Sequence, residues 1–122
     1  MKRPTVIYLA CPMRSGHWTT NVRNAAKVGK DLMRKGYSVI NPAGSWLLDL
    51  VEETDFDDWI QCDFGLVQVC DCVLRIPGFS VGGDMEADFA VRHDIPLFTD
   101  MSDLYATMPN EMEGDENEEA EL

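Results

Sequence analysis

Basic residues, histidines and long apolar runs are all scarce in this sequence. Its 122 residues include 10 Lys and Arg and 2 His against 22 Asp and Glu, which gives a formal net charge of −12. No apolar run approaches the roughly 18 residues that cross a bilayer, and residues 1–4 lack the apolar core of a signal peptide. We therefore expect a cytoplasmic protein with no membrane partner. Because no basic stripe is present, nucleic acid is not expected as a partner either.

The cysteines and glycines match none of the common cofactor or metal motifs. Cys70 and Cys72 are separated by a single residue, which is the wrong spacing for a zinc knuckle, and Cys11 and Cys62 complete no disulfide framework. We expect reduced thiols. Neither the P-loop pattern GxxxxGKS/T nor the dinucleotide pattern GxGxxG occurs.

The acidic residues are concentrated at the carboxyl end of the chain. Seven of them lie between Thr107 and Leu122, where no Lys or Arg occurs. A segment this polar has little to bury, so we expect one domain over residues 1–106 and a disordered acidic tail over residues 107–122. The tail either keeps the protein soluble or contacts a basic partner, and its composition leaves both interpretations open.

Short stretches rich in β-formers alternate with segments of helical periodicity. The predicted strands are residues 5–10, 37–40, 72–76 and 95–98; the predicted helices are residues 22–35, 55–70, 84–93 and 101–108, with 46–51 a short helix or an ordered loop. This alternation indicates a parallel sheet with helices on both faces. We predict an α/β fold of the flavodoxin or Rossmann-like type, with three layers and a parallel sheet of four to five strands.

Two acidic residues fall on the apolar stripes of predicted helices. Asp63 shares its stripe with Phe56, Trp59, Ile60 and Val67, and Glu86 shares its stripe with Phe89 and Ala90. A carboxylate on a buried face costs free energy unless it is partnered or used. Two of them, on helices that flank one strand, indicate paired-acid chemistry. The same pattern also fits acids at the stripe edges, or buried acids with satisfied hydrogen bonds.

Two loops rich in glycine, proline and serine follow predicted strands, at residues 11–17 and 77–83. They contain a cation and small residues whose backbone N–H groups can face an anion: Arg14, Ser15 and Gly16 in the first loop, and Ser80, Gly82 and Gly83 in the second. In α/β folds of this kind, ligands bind at the carboxyl ends of the strands. The two loops are therefore expected on one side of a ligand site.

Taken together, these residues carry a family resemblance. The matching segments are Tyr8-Leu9-Ala10-Cys11-Pro12-Met13-Arg14-Ser15-Gly16; Asn41-Pro42-Ala43; Asp63 followed seven residues later by Cys70-Asp71; and Leu74-x-Ile76-Pro77-Gly78-Phe79-Ser80-x-Gly82-Gly83-x-x-Glu86. Over roughly residues 4–99 the chain resembles the nucleoside 2-deoxyribosyltransferase-like superfamily, especially its small, often phage-encoded branch of uncharacterised domains. It is also similar to deoxynucleoside 5'-monophosphate N-glycosidases.

The resemblance implies roles for individual residues. Glu86 is expected to be the nucleophile that attacks the anomeric carbon, Asp63 the carboxylate that protonates or orients the departing base, and Tyr8 the residue that positions the nucleophile. The substrate and phosphate contacts are expected from Arg14, Ser15, Gly16, Ser80, Gly82 and Gly83, with Asn41 either a base contact or a turn residue. Ser80 occupies a position that is acidic in the nucleoside transferases, and a serine there would not repel a phosphate.

The expected function is cleavage or transfer at the N-glycosidic bond of a 2'-deoxynucleotide, by a hydrolase or transferase without a metal or organic cofactor. We expect a homodimer or a larger assembly. A helix amino terminus favours ionised Glu86, and a drier setting near Trp59 and Phe64 favours protonated Asp63.

Two other functions stay open at this stage. Cys11 and Asp84 differ from the residues of many relatives, and they fit a catalytically silent module that binds a nucleotide or an ADP-ribose-type ligand. The acidic tail fits a protein whose main task is to bind another protein. Affinity without turnover would identify the first alternative, and loss of partner binding on deletion of the tail would identify the second.

Overall fold

The structure is a computed structural model that describes residues 3–13 and 16–109, with only the backbone described for residues 43–46. The elements of the described chain are β1 (Val6–Ala10), α1 (Trp18–Arg34), β2 (Ser38–Ile40), a 3-10 helix (Pro42–Leu50), α2 (Phe56–Gln68), β3 (Cys72–Arg75), α3 (Val81–Arg92), β4 (Leu97–Phe98) and α4 (Met101–Thr107). Strands and helices alternate as predicted. The 3-10 helix begins at Pro42, where the sequence indicated a turn.

The strands form one parallel sheet in the order β2-β1-β3-β4. In the central strand β1, Ile7 pairs with Val39 of β2 on one side and with Cys72 of β3 on the other. β4 extends the sheet beyond β3, where Val73 is opposite Leu97. The prediction of an α/β, Rossmann-like fold with a parallel sheet is confirmed, with four strands in the described chain.

Successive residues of the central strands face opposite helical layers, because a strand has a side-chain period of two. On the side of α1 and α4 the buried residues are Ile7, Leu9, Leu32, Tyr37, Cys72, Leu74 and Leu104. On the side of α2 and α3 they are Tyr8, Ala10, Val67, Cys70, Val73 and Ala90. Helices therefore cover both faces of the sheet and complete the three layers.

α1 starts four residues earlier than the sequence indicated. Its buried stripe consists of Ala25, Gly29 and Leu32. Met33 was expected on that stripe but is 64% exposed, because it lies one step around the helix from Leu32. Gly36 follows the helix with a φ of +91°, a conformation that glycine adopts without strain.

α3 also starts earlier, at Val81 rather than Asp84. Ser80 caps the helix, and its Oγ accepts a hydrogen bond from the Gly83 N–H at 2.9 Å. The sequence of Gly82 and Gly83 is typical of a loop, because glycine has a low helix propensity. The Ser80 cap nevertheless stabilises a first helical turn that contains both glycines. Glu86 is consequently the sixth residue of the helix and not the third.

The last described element packs on the sheet. Leu104 of α4 is fully buried, and the Tyr37 hydroxyl donates a hydrogen bond to the Met108 carbonyl at 2.8 Å. Ordered contacts therefore continue to Met108. None of the described helices combines the length and the apolar character that a bilayer crossing requires.

Candidate active site

A cleft of about 290 Å³ lies at the carboxyl edge of the sheet, next to the point where the strand order reverses around β1. Its lining residues come from the segment after β1, the 3-10 helix, α2 and the start of α3: Cys11, Met13, Pro42, Asp49, Phe56, Trp59, Ile60, Asp63, Phe79, Ser80, Val81, Gly82, Gly83 and Glu86. Both acids predicted from the helix stripes line this cleft. Its volume is near the lower end of the range for small-molecule sites.

Tyr8 connects the central strand to α3. Its side chain is fully buried, and the hydroxyl donates a hydrogen bond to Glu86 Oε2 at 3.0 Å. Burial raises the pKa of Tyr8, and the nearby carboxyls of Glu86 and Asp63 raise it further. The phenol therefore keeps its proton and acts as a donor. The structure brings Tyr8 and Glu86 into contact, while the catalytic role of the contact stays a prediction.

Asp63 and Glu86 project into the cleft from two different helices, α2 and α3. Their exposed fractions are only 9% and 4%. The proximity of the two carboxyls raises the pKa of Glu86, whereas Glu86 and Tyr8 lower the pKa of Asp63 against the larger effect of burial. Among the described residues, Oδ1 of Asp63 is a buried oxygen without a hydrogen-bond partner. Buried acceptors are normally satisfied, so this oxygen does not fit the interpretation of an acid with purely structural bonds.

Burial is the largest cause of raised pKa values in both carboxyls, since it disfavours their charged forms. The pKa of Glu86 rises to about 9, because the hydrogen bond and the charge of Asp63 add to burial while Tyr8 and Arg75 oppose it. The raised pKa of Asp63 agrees with the expected preference for its protonated form, whereas the raised pKa of Glu86 opposes the expected ionised form. Glu86 lies beyond the first turn of α3, where the field of the helix terminus has decayed. Because the two carboxyls are buried side by side, the charge of one disfavours ionisation of the other.

Arg75, at the end of β3, was missed by the sequence analysis. Its side chain is 12% exposed, and its Nη2 donates to the Gly78 carbonyl at 2.9 Å and to Asp84 Oδ1 at 3.0 Å. Its Nη1 donates to the Ile76 carbonyl. The sequence did contain a signal, namely one basic residue in an otherwise apolar strand. Asp84, one of the residues that differ from those of many relatives, is paired with this cation.

The predicted contacts of the second loop all line the cleft. Ser80 Oγ and the Gly83 N–H are, however, bonded to each other in the cap of α3, so that this N–H is not available to a phosphate. A Cβ on Gly83 would lie 2.9 Å from Arg75 Cζ, which gives this glycine a packing role. Gly82 is less crowded, since its Cβ would meet the Phe56 ring at 3.7 Å.

The remaining predicted contacts lie elsewhere. Arg14 and Ser15 are outside the described residues. Gly16 is exposed, with a φ of +69°, and does not line the cleft. Asn41 does not line it either; its Nδ2 would be 3.5 Å from a Cβ placed on Gly29 of α1.

Apolar side chains form much of the cleft wall, and Asp49 adds a third carboxyl. Phe56, Trp59 and Phe79 supply aromatic surface. Asp49, on the 3-10 helix, accepts a hydrogen bond from the Thr54 N–H at 3.0 Å. The sequence analysis missed Asp49, because the segment has no clear periodicity. Within residues 3–13 and 16–109, no group of three or more His, Cys, Asp or Glu side chains could hold a metal ion.

Comparisons with known proteins support the fold. A family model described as "Domain of unknown function (DUF4406)" matches residues 5–99. No functionally curated protein matches the sequence.

Two solved structures share the architecture. A 2-deoxyribosyltransferase from Bacillus psychrosaccharolyticus matches with a TM-score of 0.60 at 20% identity, over 76% of this chain and 69% of that enzyme. A 2-deoxyribosyltransferase from Leishmania mexicana matches with a TM-score of 0.58 at 18% identity, over 77% of this chain and 62% of that one, less than two thirds. At these identities the similarity establishes the fold, and the predicted resemblance to the nucleoside 2-deoxyribosyltransferase-like superfamily is confirmed at that level.

Proposed function

The chain belongs to the DUF4406 family of domains of unknown function, and we propose that it cleaves or transfers at the N-glycosidic bond of a 2'-deoxynucleotide through a carboxylate nucleophile. One observation carries the proposal. Asp63 and Glu86, from two different helices, line one small cleft, and the buried Tyr8 of β1 donates a hydrogen bond to Glu86. The fold shared with two 2-deoxyribosyltransferases supports it.

The first step of the proposed reaction breaks the bond between C1' and the base nitrogen. Because Tyr8 holds Oε2 of Glu86, we assign the attack on C1' to Oε1. Asp63 transfers its proton to the departing base, and Glu86 forms an ester with C1'. The pair enters this step with one proton, so a shift of that proton from Glu86 to Asp63 within their hydrogen bond prepares both groups.

The second step releases the sugar from Glu86. Water or an incoming base attacks C1', gives its proton to Asp63 and restores the carboxylate of Glu86. With water as the acceptor the protein is a hydrolase, and with a base it is a transferase. No charge is left over in either case, since Asp63 recovers the proton that it gave away.

The walls of the cleft are suited to a nucleobase. Trp59 and Phe56 on α2 and Phe79 after β3 offer ring faces on which a base can stack. Asp49 adds an acceptor on the opposite segment, which suits a donor group of the base or the sugar.

The preference for a nucleotide rests on the first loop and on Ser80. Met13, which precedes Arg14 in the sequence, lines the cleft. Ser80 lines the cleft without adding a negative charge. Replacement of Arg14 by Ala should therefore weaken deoxynucleoside monophosphates far more than the matching nucleosides. An equal loss for both would contradict the phosphate assignment.

The decisive experiment offers a panel of 2'-deoxynucleosides and their 5'-monophosphates, with and without an acceptor base, and measures the released base by chromatography. We expect release from at least one monophosphate and a loss of at least ~1,000-fold in Glu86→Gln. Glu53→Gln, at an exposed position, is the matched control and should keep the wild-type rate.

Intact-protein mass spectrometry gives a second readout of the same step. A deoxyribosyl adduct should accumulate on wild-type protein during turnover and be absent from Glu86→Gln. If no base is released from any substrate, the proposal is wrong. Measurable affinity for a nucleotide or an ADP-ribose-type ligand without turnover would then support the silent binding module.

A further inference from the structure

The guanidinium of Arg75 joins two segments that border the cleft. It donates to the carbonyls of Ile76 and Gly78 in the loop after β3, and Ser80 O lies 3.5 Å from Nη2. It also pairs with Asp84 in the first turn of α3 at 3.0 Å. One planar group thus ties the loop that precedes α3 to the start of the helix that carries Glu86.

The packing around Arg75 leaves little freedom. Its side chain is 12% exposed, whereas that of Asp84 is 75% exposed, so the cation is the enclosed member of the pair. Gly83 approaches it so closely that an added Cβ would lie 2.9 Å from Cζ and 3.0 Å from Nε. The guanidinium therefore packs directly against the backbone of the first helical turn.

Arg75 is also the cation in the surroundings of Glu86. Among the described residues, the titratable groups that shift the pKa of Glu86 are Asp63 from α2, Tyr8 from β1 and Arg75 from β3. Glu86 and Arg75 in turn shift the pKa of Cys11, which follows β1. Asp49 of the 3-10 helix lines the same cleft. Of these groups, Arg75 is the one that carries a positive charge, and it lowers the pKa of Glu86.

We propose that Arg75 is a positioning residue of this site, which fixes the start of α3 and thereby the carboxyl of Glu86. Arg75 does not line the cleft and does not touch the substrate in this proposal. The effect on rate rests on the proposed function, whereas the effect on the titration of Glu86 does not.

Two substitutions separate geometry from charge. Arg75→Lys keeps the charge but loses the planar fork that reaches several acceptors at once, so kcat should fall by ~10-fold or more while the pH profile stays in place. Arg75→Gln also loses the charge; without it the ionised carboxyl is less favoured, and the pH profile of kcat/KM should move to higher pH. KM should change less than kcat in both variants.

A matched control, Arg92, lies on α3, the helix that also carries Glu86. Arg92 pairs with Asp88 at 2.9 Å, with both side chains largely exposed. Arg92→Gln removes an ion pair of similar geometry and should leave both kcat and the pH profile unchanged.

An activity-independent readout follows the carboxyl carbon of Glu86 by NMR in protein labelled with ¹³C-glutamate, with Glu86→Gln to assign the resonance. Its titration should move to higher pH in Arg75→Gln and stay in place in Arg75→Lys. An unmoved titration in folded Arg75→Gln overturns the proposal, whether or not the protein turns over a substrate. A protein without turnover whose Glu86 titration moves as expected supports the role of Arg75 and contradicts the proposed function alone.

Folding of the variants is checked by circular dichroism. If Arg75→Gln does not fold, Arg75→Lys and Asp84→Asn carry the test. Asp84→Asn removes the exposed partner and keeps the backbone bonds, so its kcat should lie between those of wild type and Arg75→Lys. Wild-type kcat in Arg75→Lys contradicts the proposal.

Discussion

Tyr8 and Glu86 show how one buried hydrogen bond can determine the orientation of a reactive group. The hydroxyl of Tyr8 reaches Glu86 Oε2 at 3.0 Å, and both side chains are almost completely buried. A carboxyl held this way has few alternative rotamers. The same bond lowers the pKa of Glu86 against the opposing effect of burial.

Tyr8→Phe removes this bond without changing the shape of the ring. We expect kcat to fall about 10- to 100-fold, because the carboxyl loses its orientation and its ionised form loses a donor. Steady-state kinetics at several pH values measure the effect. Tyr37→Phe is the control, since its hydroxyl bonds to the Met108 carbonyl on the other face of the sheet. It should cost about 1 kcal/mol of stability and leave kcat unchanged.

Glu86 should also make the stability of the protein depend on pH. The pKa of Glu86 rises from 4.5 to about 9 on folding, so the folded protein holds a proton that the unfolded chain releases in this range. The free energy of unfolding should therefore fall as the pH rises from about 4.5 toward 9. In Glu86→Gln the fall should be smaller by at least ~1 kcal/mol, the equivalent of one pKa unit.

Urea denaturation at a series of pH values measures this difference. Glu53→Gln, at an exposed position, should follow the wild-type curve. Parallel curves for wild type and Glu86→Gln would contradict the raised pKa of this group.

For individual residues, helical periodicity predicted which acids are buried but not which residues surround them. Asp63 and Glu86 were visible because helical spacing places them among apolar residues. Arg75 was not, because its partners belong to a loop and to the next helix, and their positions depend on the fold. The raised pKa of Glu86 was not predicted for the same reason, because it depends on the contact between two helices.

The start of α3 is the element on which the site depends most. Ser80 caps it, Gly83 donates to that cap, and Arg75 packs against the glycine. The sequence predicted the helix and its acid, but it assigned the glycine pair to a loop. Only the cap and the neighbouring guanidinium explain why a first turn with two glycines is stable here.

Gly83 and Gly65, two of the glycines in helices, give opposite predictions for the same substitution. Gly83→Ala brings a Cβ to 2.9 Å from Arg75 Cζ, so we expect a loss of about 1–3 kcal/mol in stability together with lower activity. Gly65→Ala meets nothing within 4 Å and should gain about 0.5–1 kcal/mol through helix propensity. Urea denaturation compares the two. Equal effects would contradict the crowding at Gly83.

For the whole molecule, the alternation of strands and helices was enough to predict the sheet and its layers. Buried parallel strands are largely apolar, and residues 6–10 and 72–74 show this in the sequence. The carboxyl-terminal end of the packed domain was harder to predict. α4 and Met108 contact the sheet, so a cut that removes the acidic segment and spares the packing belongs after Pro109.

A chain that ends at Pro109 should keep the stability and turnover of the full chain, since the buried residue Leu104 and the Tyr37–Met108 bond are retained. If the acidic segment contacts a basic partner, binding of that partner should be lost in the same variant. A chain that ends at Asp100 also loses Leu104 and should be severely destabilised. Thermal denaturation and base release compare the three chains.

β3 stands between the two acids along the chain, and its pairing with β1 extends from Ile7 opposite Cys72 to Ala10 opposite Arg75. Division of the polypeptide in the turn before β3 would leave Tyr8 and Asp63 on one fragment and Glu86 and Arg75 on the other. Neither fragment contains Tyr8, Asp63 and Glu86 together, so the two fragments would have to restore the pairing of β1 with β3 before these residues could meet. During refolding, the recovery of base release would therefore report the pairing of the two central strands, β1 and β3.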